Sequence, residues 1–411
     1  MTVDQTRPID DADGSAGGGA PEPGRLYGPE FAADPGRVYA ALRAHGDLAP
    51  VELSPGIPAT LVIGYDAALE VMRDPGRFPR DATRWQQGVP ADCPVLPLLM
   101  YRPNTLSANG PVHARLRSVI TDSVARVDTG ALRGHVEAAA SRLVDAFAAD
   151  GEADLIGQYA RVLPLVVFNE LFGCPAEIGD RLVQGMSGIF DGTSAEEANA
   201  VLHRATRDLV AHKRANPGAD MASWMIGHPA DLDDDEMAEQ IALLLGAGTE
   251  PEQNLIANGL RLLLSDDRFG GDLSGGSLPV EDALDEVLWT DPPMANFGAT
   301  FPRQDVHFRG RVLPADQPVV ISYAAANTDP SRTAAGRVGN RAHLAFAAGP
   351  HTCPVKGHAR LLASAAIETL LDRLPDMELA VPVDELEWRP GPFHRALTAL
   401  PVRFPPQAPR P

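Results

Sequence analysis

Cys353 is the residue of this chain best placed to do chemistry. It lies in Phe346–Arg360, F-A-A-G-P-H-T-C-P-V-K-G-H-A-R, where a Gly/Pro-containing loop meets a long apolar-periodic segment. Pro354 follows it directly, and proline suits the first helical position because its missing N–H would have no partner there. The pattern therefore predicts Cys353 at a helix N-cap, with unpaired backbone N–H groups and the positive helix end facing its sulfur. Such surroundings favour the thiolate, the form that ligates metals and attacks electrophiles. A buried, inert cysteine is the other reading of the same residue.

Two further constellations carry possible chemistry. Residues 109–117 read N-G-P-V-H-A-R-L-R. His113 and Arg117 are four apart and share one helix face, where two cationic donors can clamp a carboxylate. A solvated helix face is the alternative. The other constellation is the middle of a long apolar segment, A-L-L-L-G-A-G-T-E-P-E-Q-N-L-I, which holds Thr249, Glu250 and Pro251. Pro251 has no N–H for the carbonyl of Ala247, and its ring is expected to push that turn open. The freed carbonyl could hold a water or a substrate hydroxyl. A tolerated kink is the plainer reading.

The cysteine stretch, F-x-x-G-x-H-x-C with A-R at the sixth and seventh positions after the cysteine, resembles the haem-thiolate loop of the cytochromes P-450. The resemblance covers roughly residues 25–406. It implies a mostly α, single-domain fold with small β-sheets, a triangular prism of helices around haem b (iron protoporphyrin IX). In that family the cysteine thiolate is the proximal iron ligand and pushes electron density toward O–O cleavage. The resemblance makes Cys353 that ligand, packs Phe346 beside it, has Gly349 give the backbone room, and sends His351 to a haem propionate. His113 and Arg117 fall on the family's propionate-binding H-x-R-x-R segment. In the long segment, aligning on Asn254-Leu255-Ile256 puts Ala247 and Gly248 on the small residues of [AG]-G-x-[DE]-T. Glu250 then stands on the acid, and Pro251 on the alcohol that completes the family's proton relay.

The pattern fails at four places. Val355 stands where a glycine is usual, and Pro251 brings no hydroxyl. Residues 279–293, P-V-E-D-A-L-D-E-V-L-W-T-D-P-P, match the family's E-x-x-R helix but read Glu286-x-x-Trp289, which resembles a minority bacterial variant. The arginine that normally joins a buried Glu–Arg–Arg brace is thus absent. The face of Trp289 is expected to accept a guanidinium from Arg337 or Arg341. A further propionate arginine aligns with Thr300, and Arg303, three residues on, is expected to substitute for it.

The resemblance implies a monooxygenase-type oxidoreductase that acts on a small hydrophobic, secondary-metabolite-like molecule with electrons from a ferredoxin and ferredoxin reductase. Thr249, Glu252, water or a substrate hydroxyl is expected to replace the lost alcohol. The alternative is a haem-binding protein without oxygenase activity, serving as a sensor or signalling component.

These sites need elements to position them. Residues 51–65, VELSPGIPATLVIGY, read as two strands around a Pro/Gly turn, and DAALEVMRDPGRF as a helix ending at Asp74-Pro75. Arg80–Tyr101 is an irregular, proline-rich loop that lines up with the family's substrate-covering loop. Helices are expected over Gly130–Ala149, Leu155–Phe172, Glu236–Leu264 (~44 Å if wholly helical) and Ala359–Leu374. The acidic run Asp231–Glu236 opens the third of these, where its charge complements the helix dipole. Residues 174–225 read as helical patches broken by Gly and Pro, on the family's lid. DVHFRGRVLPADQPVVISYAAANTDP gives a hairpin and a strand, and LPVRF a closing strand.

Composition sets the surroundings. The chain has 411 residues and a net charge of −20, which excludes nucleic acid as a natural partner. Cys93, Cys174 and Cys353 are too few and odd in number for a disulfide framework, which suits a reducing cytosol. The first 24 residues lack both a basic start and an apolar core, so they read as a disordered tail and not as a signal or membrane anchor. Residues 407–411 form a C-terminal tail. A cytoplasmic enzyme with no membrane contact is the expectation. Ser331–Leu361 carries Arg332, Arg337, Arg341, Lys356 and Arg360 without Asp or Glu. Local pairing and a docking face for an acidic electron donor both remain open readings.

Overall fold

Asp233 starts the element that sets the layout. Its side chain accepts from the N–H of Glu236 at 2.8 Å, and the Glu236 carboxylate accepts from the N–H of Asp233 at 3.3 Å. This reciprocal cap satisfies two donors that a helix start otherwise leaves orphaned. From it a 32-residue helix runs over Asp234–Ser265, ~48 Å long. Pro251 lies inside it without ending it. The helix joins two cores. Met237, Ile241 and Leu245 pack into one, and Leu255, Ile256, Leu260 and Leu263 into the other.

The computed structural model describes residues 23–191, 195–266, 280–332 and 340–407. Among these, the helices of nine residues or more are α1 (Tyr65–Arg73), α2 (Gly110–Val124), α3 (Thr129–Phe147), α4 (Val162–Leu171), α5 (Ala176–Asp191), α6 (Ala195–Ala215), α7 (Asp234–Ser265), α8 (Val280–Thr290) and α9 (Lys356–Arg373). The second core is a bundle of α3, α4, α8 and α9 with the C-terminal half of α7. A π-helical turn at Ile156–Ala160 precedes α4 and places Tyr159, whose hydroxyl donates to the carbonyl of Ala366 on α9 at 2.6 Å. The first core is built by α2, α5 and α6 against the N-terminal half of α7.

Strands β1 (Gly24–Arg25), β2 (Leu48–Ser54), β3 (Ile57–Val62), β5 (Asn296–Thr300) and β8 (Val319–Ser322) make the largest sheet, in the order β1-β2-β3-β8-β5. The expected Pro55-Gly56 turn joins β2 to β3, with Gly56 at φ 75°. Strand β8 runs parallel to β3 and antiparallel to β5, and β5 is bulged between Phe297 and Thr300. The strands β4 (Glu152–Asp154), β9 (Glu378–Leu379) and β10 (Pro401–Arg403) form a second sheet, and β6 (Val306–Phe308) and β7 (Arg311–Leu313) a hairpin. The architecture is the expected one, a single domain that is mostly α with small sheets.

Three details differ from expectation. Residues 1–22 and 408–411 lie outside the described residues, but Gly24, inside the expected tail, and Arg25 pair with Val51 and Glu52. Within 174–225, Gly179, Gly185 and Gly188 do not break α5, whereas Pro217 and Gly218 lie in the break that follows α6. A Cβ at Gly185 would come within 2.9 Å of the Leu202 backbone nitrogen, and one at Gly188 within 2.8 Å of the Ala198 side chain. These glycines therefore let α5 and α6 approach closely. Finally, the A-A-N after β8 is helical, because Ser322 caps Tyr323–Asn327 through the N–H of Ala325.

Candidate functional site

The loop before α9 folds back on itself. The N–H of Cys353 donates to the carbonyl of Phe346 at 2.9 Å, and that of Thr352 to Gly349 at 3.1 Å. Gly349 sits at φ 70°, and a Cβ there would lie 2.2 Å from the carbonyl oxygen of Met72. The room this glycine provides is for the end of α1. Phe346 is half-buried against the bundle core, with its ring 5.8 Å from that of His343.

Cys353 is not a helix N-cap. Pro354 and Val355 form a turn, Val355 is the N-cap, and α9 begins at Lys356. Burial pushes the Cys353 thiol up, and the N–H of Val355 together with the Arg117 charge only partly opposes it. The expected thiolate-favouring helix end is thus replaced by one backbone donor and a nearby guanidinium. A coordinated metal deprotonates such a thiol outright. Val355 itself has φ −113°, ordinary backbone for any side chain, and packs against the lid-side core. This explains why the usual glycine is dispensable.

Beside this loop, α2 brings in His113 and Arg117. The His113 and His351 rings lie 4.3 Å apart, and Arg117 donates to the carbonyl of Thr352. Nε2 of both histidines is buried without a hydrogen-bond partner. Burial, followed by the charges of Arg80, His113 and Arg117, pushes His351 far below the usual imidazole range. His113 is lowered by burial and by Arg117 and Arg80. The structure therefore joins His113, Arg117, His351 and Cys353 in one place, and it adds a guanidinium that no sequence pattern marked, Arg80. Arg303 is not brought there. Its side chain is exposed and pairs with Asp81 at 2.9 Å, because the chain turns outward after β5. Thr300 is buried, with its hydroxyl 3.3 Å from the carbonyl of Val319.

The middle of α7 supplies the other side of the candidate site. Ala247 and Gly248 are exposed although the helix is buried on both sides of them, and no atom lies within 4 Å of where a Gly248 Cβ would be. These two small residues open onto free space. Next to them Thr249, Glu250, Glu252, Gln253 and Asn254 are buried in succession. The Thr249 hydroxyl is committed to the carbonyl of Leu245 at 2.8 Å. Glu250 pairs with Arg389, and the same carboxylate oxygen lies 3.8 Å from Nδ1 of His394. Burial holds the His394 pKa down at about 3, so this imidazole is neutral. Glu252 has an unpartnered buried oxygen, and burial raises its carboxyl well above the usual range.

The bracing side departs from expectation as well. No guanidinium stacks on Trp289 among the described residues. The indole meets His343 edge-on at 5.8 Å and donates to the carbonyl of Asn340 at 2.7 Å. Arg341 instead pairs with Glu281 and Asp285, each at 3.2 Å, and Arg360 pairs with the same two carboxylates. Arg337 lies outside the described residues. With Arg332 on Asp66 at 2.5 Å, local pairing accounts for three of the five cations once open to a docking reading. Lys356 is exposed and has no ion pair among the described residues.

These residues fit an iron porphyrin. One sulfur is available as an axial ligand, unpartnered imidazole nitrogens and guanidinium groups await a buried anion, and a small-residue turn of α7 opens onto free space. No protein-family model matches the chain. Individual proteins do. The cytochrome P450 monooxygenase PikC of Streptomyces venezuelae is 34% identical over 393 residues, 92% of each chain. The mycinamicin IV hydroxylase/epoxidase of Micromonospora griseorubida is 31% identical over 383 residues, covering 89% of this chain and 94% of its own. Among solved structures, CYP154C4 from Streptomyces sp. ATCC 11861 superposes with a TM-score of 0.84 at 30% identity, covering 92% of this chain and 98% of its own.

Proposed function

The chain belongs to the cytochrome P450 superfamily and is a haem b-dependent monooxygenase, and on that premise we propose that it oxidises a small hydrophobic molecule with electrons from a ferredoxin and ferredoxin reductase. The working unit is one haem domain over roughly residues 25–406, acting in the bacterial cytoplasm. Among the described residues, no helix is long and apolar enough to cross a membrane. Bound haem supplies the oxidising chemistry, with a thiolate as its proximal ligand.

The observation that carries the reading is the cluster of His113, Arg117 and His351 around the Cys353 loop, with no carboxylate paired to any of them among the described residues. Cys353 would ligate the iron, and His113, Arg117 and His351 would hold the propionates, whose negative charge their buried field requires. Phe346 and Gly349 shape the loop. Ala247 and Gly248 leave space for substrate and dioxygen.

Proton delivery follows a route without the usual alcohol. Pro251 has no hydroxyl, and that of Thr249 is tied to its own helix. Glu250, held by Arg389 and facing neutral His394, is the acid that exchanges a proton with water entering the cavity. Relatives named for 6-deoxyerythronolide B and vitamin D(3) point to macrolactone-like and steroid-like substrates.

The test is turnover of mycinamicin IV, 6-deoxyerythronolide B and vitamin D(3) with a generic ferredoxin, its reductase and NADH. A hydroxylated product from at least one is expected. A fully haem-loaded protein that consumes NADH and yields only peroxide with every compound would overturn the oxygenase reading. A reduced, carbon monoxide-treated sample lacking the far-red-shifted Soret band would overturn Cys353 as ligand.

A further inference from the structure

Arg80 is a buried cation without a counter-ion. It is 8% exposed, and among the described residues no carboxylate lies within ion-pair distance of it. Its visible partners are neutral, the carbonyl of Ala299 at 3.5 Å from Nη1 and the hydroxyl of Tyr323. A buried guanidinium with only neutral partners is costly unless an anion completes the site.

The backbone around it is shaped to admit the side chain. Gly298 lies in the bulge of β5 at φ 69°, and a Cβ there would stand 2.7 Å from the Tyr323 hydroxyl and 3.4 Å from Arg80 Nη1. Asn109, the residue before α2, accepts from the backbone N–H of Arg80 at 3.3 Å. The charge of Arg80 also falls on His113, whose ring lies 4.3 Å from that of His351, and the Nε2 atoms of both are buried and unpartnered. Arg80 thus shares one electrostatic site with those two donors. It reaches that site from the loop after α1, against the strand residue that immediately precedes Thr300.

We infer that Arg80 anchors a haem propionate, supplying from the loop after α1 the cation that Thr300 lacks and exposed Arg303 does not provide. The inference rests on the haem-binding reading above and adds a contact to it. The guanidinium fork donates two N–H groups to a carboxylate, and Tyr323 and the Ala299 carbonyl hold the fork in place. Carboxylate recognition of this kind makes a specific demand on the cofactor, namely that its propionates be free acids.

The experiment measures haem transfer to excess apomyoglobin from wild type, Arg80→Met, Arg80→Lys and Arg303→Met. Each protein is loaded either with haem b or with its dimethyl ester, in which both carboxylates are masked. With haem b, Arg80→Met is expected to lose cofactor on the order of tenfold faster or more, given the strength of charge-assisted hydrogen bonds. Arg80→Lys falls between it and wild type, and Arg303→Met matches wild type. With the dimethyl ester the four proteins lose cofactor at similar rates. Arg80→Met/Thr300→Arg is expected to recover retention of haem b. Equal acceleration with both cofactors would make Arg80 a purely structural residue and overturn the inference, as would unchanged loss of haem b. If Arg80→Met does not fold, the Arg80→Lys comparison across the two cofactors decides in the same way. A wild type that takes up no haem would instead sink the functional reading itself, so the two failures are distinguishable.

Discussion

The indole N–H of Trp289 donates to the carbonyl oxygen of Asn340 at 2.7 Å, tying the end of α8 to the segment that leads into the cysteine loop. A neutral hydrogen bond thus links two parts of the chain that the family's usual arginine would join by charge. Trp289→Phe keeps the edge-on contact with His343 and removes the donor. A loss of about 1 kcal/mol is expected, seen as a melting point lower by about 1 °C in a thermal scan. Trp289→Ala also loses the buried ring and should cost roughly 3–5 kcal/mol.

Asp285 on α8 carries charge pairing of its own. Asp285 is 5% exposed and shared between Arg360 and Arg341. Arg360→Met leaves that carboxylate with only an exposed partner and should destabilise by roughly 3 kcal/mol, as removal of one member of a buried pair does. The control is Arg332→Met, whose pair with Asp66 is about half exposed on both sides. It should cost under about 1 kcal/mol. Similar denaturant midpoints for the two variants would contradict this account.

His343 makes folding sensitive to acid. Burial lowers its pKa to about 4 in the folded protein, opposed by Asp285 and aided by Arg360, Arg341 and Lys356. The unfolded chain takes up a proton near pH 6.5. Above that pH both states are neutral and nothing is lost. Between about 6.5 and 4 only the unfolded chain is protonated, so stability falls as pH falls, by an amount on the order of 3 kcal/mol in total. His343→Phe should flatten the stability–pH curve across that window. An unchanged slope would show that His343 titrates normally.

Pro251→Thr has two separable effects. The new N–H can donate to the carbonyl of Ala247 and remove the ring clash, so stability should rise by up to ~3 kcal/mol. The new hydroxyl should raise the amount of product formed per NADH. A higher melting point with an unchanged product-to-NADH ratio would show that a missing alcohol does not limit the reaction.

Cysteine variants should separate cleanly. Cys353→Ala is expected to abolish the thiolate signature of the reduced carbon monoxide complex. Cys93→Ala and Cys174→Ala should keep it. Cys93 is buried beside Ser54, at 3.9 Å, and burial pushes the Cys174 thiol up to about 12. Loss of the signature in either of these variants would contradict the assignment.

What the sequence made readable was local. The acidic start of α7, the Pro55-Gly56 turn and the place of Gly349 in the cysteine loop are each specified by neighbours a few residues apart, although the helix after Cys353 starts only at Lys356. Arg80 was invisible because its partners lie far along the chain, Ala299 being 219 residues away. Arg303 misled for the opposite reason. It is close to Thr300 in sequence, but it stands beyond the buried Phe301 and Pro302, where the chain reaches the surface. The lid glycines carry no sign of whether they break a helix or admit a neighbour, since that depends on what crosses them. Trp289 donates to a carbonyl, and Arg341, one of the two cations expected on its face, pairs with nearer carboxylates instead.

The glycines of α5 have a mechanical consequence. Where two helices touch almost backbone to backbone, there is little side-chain slack for one to slide on the other. Gly185 and Gly188 therefore couple α5 and α6 into one stiff plate, pinned at its base by the buried Lys213–Asp220 pair at 2.6 Å. A displacement of α5 is therefore expected to carry α6 with it as one body.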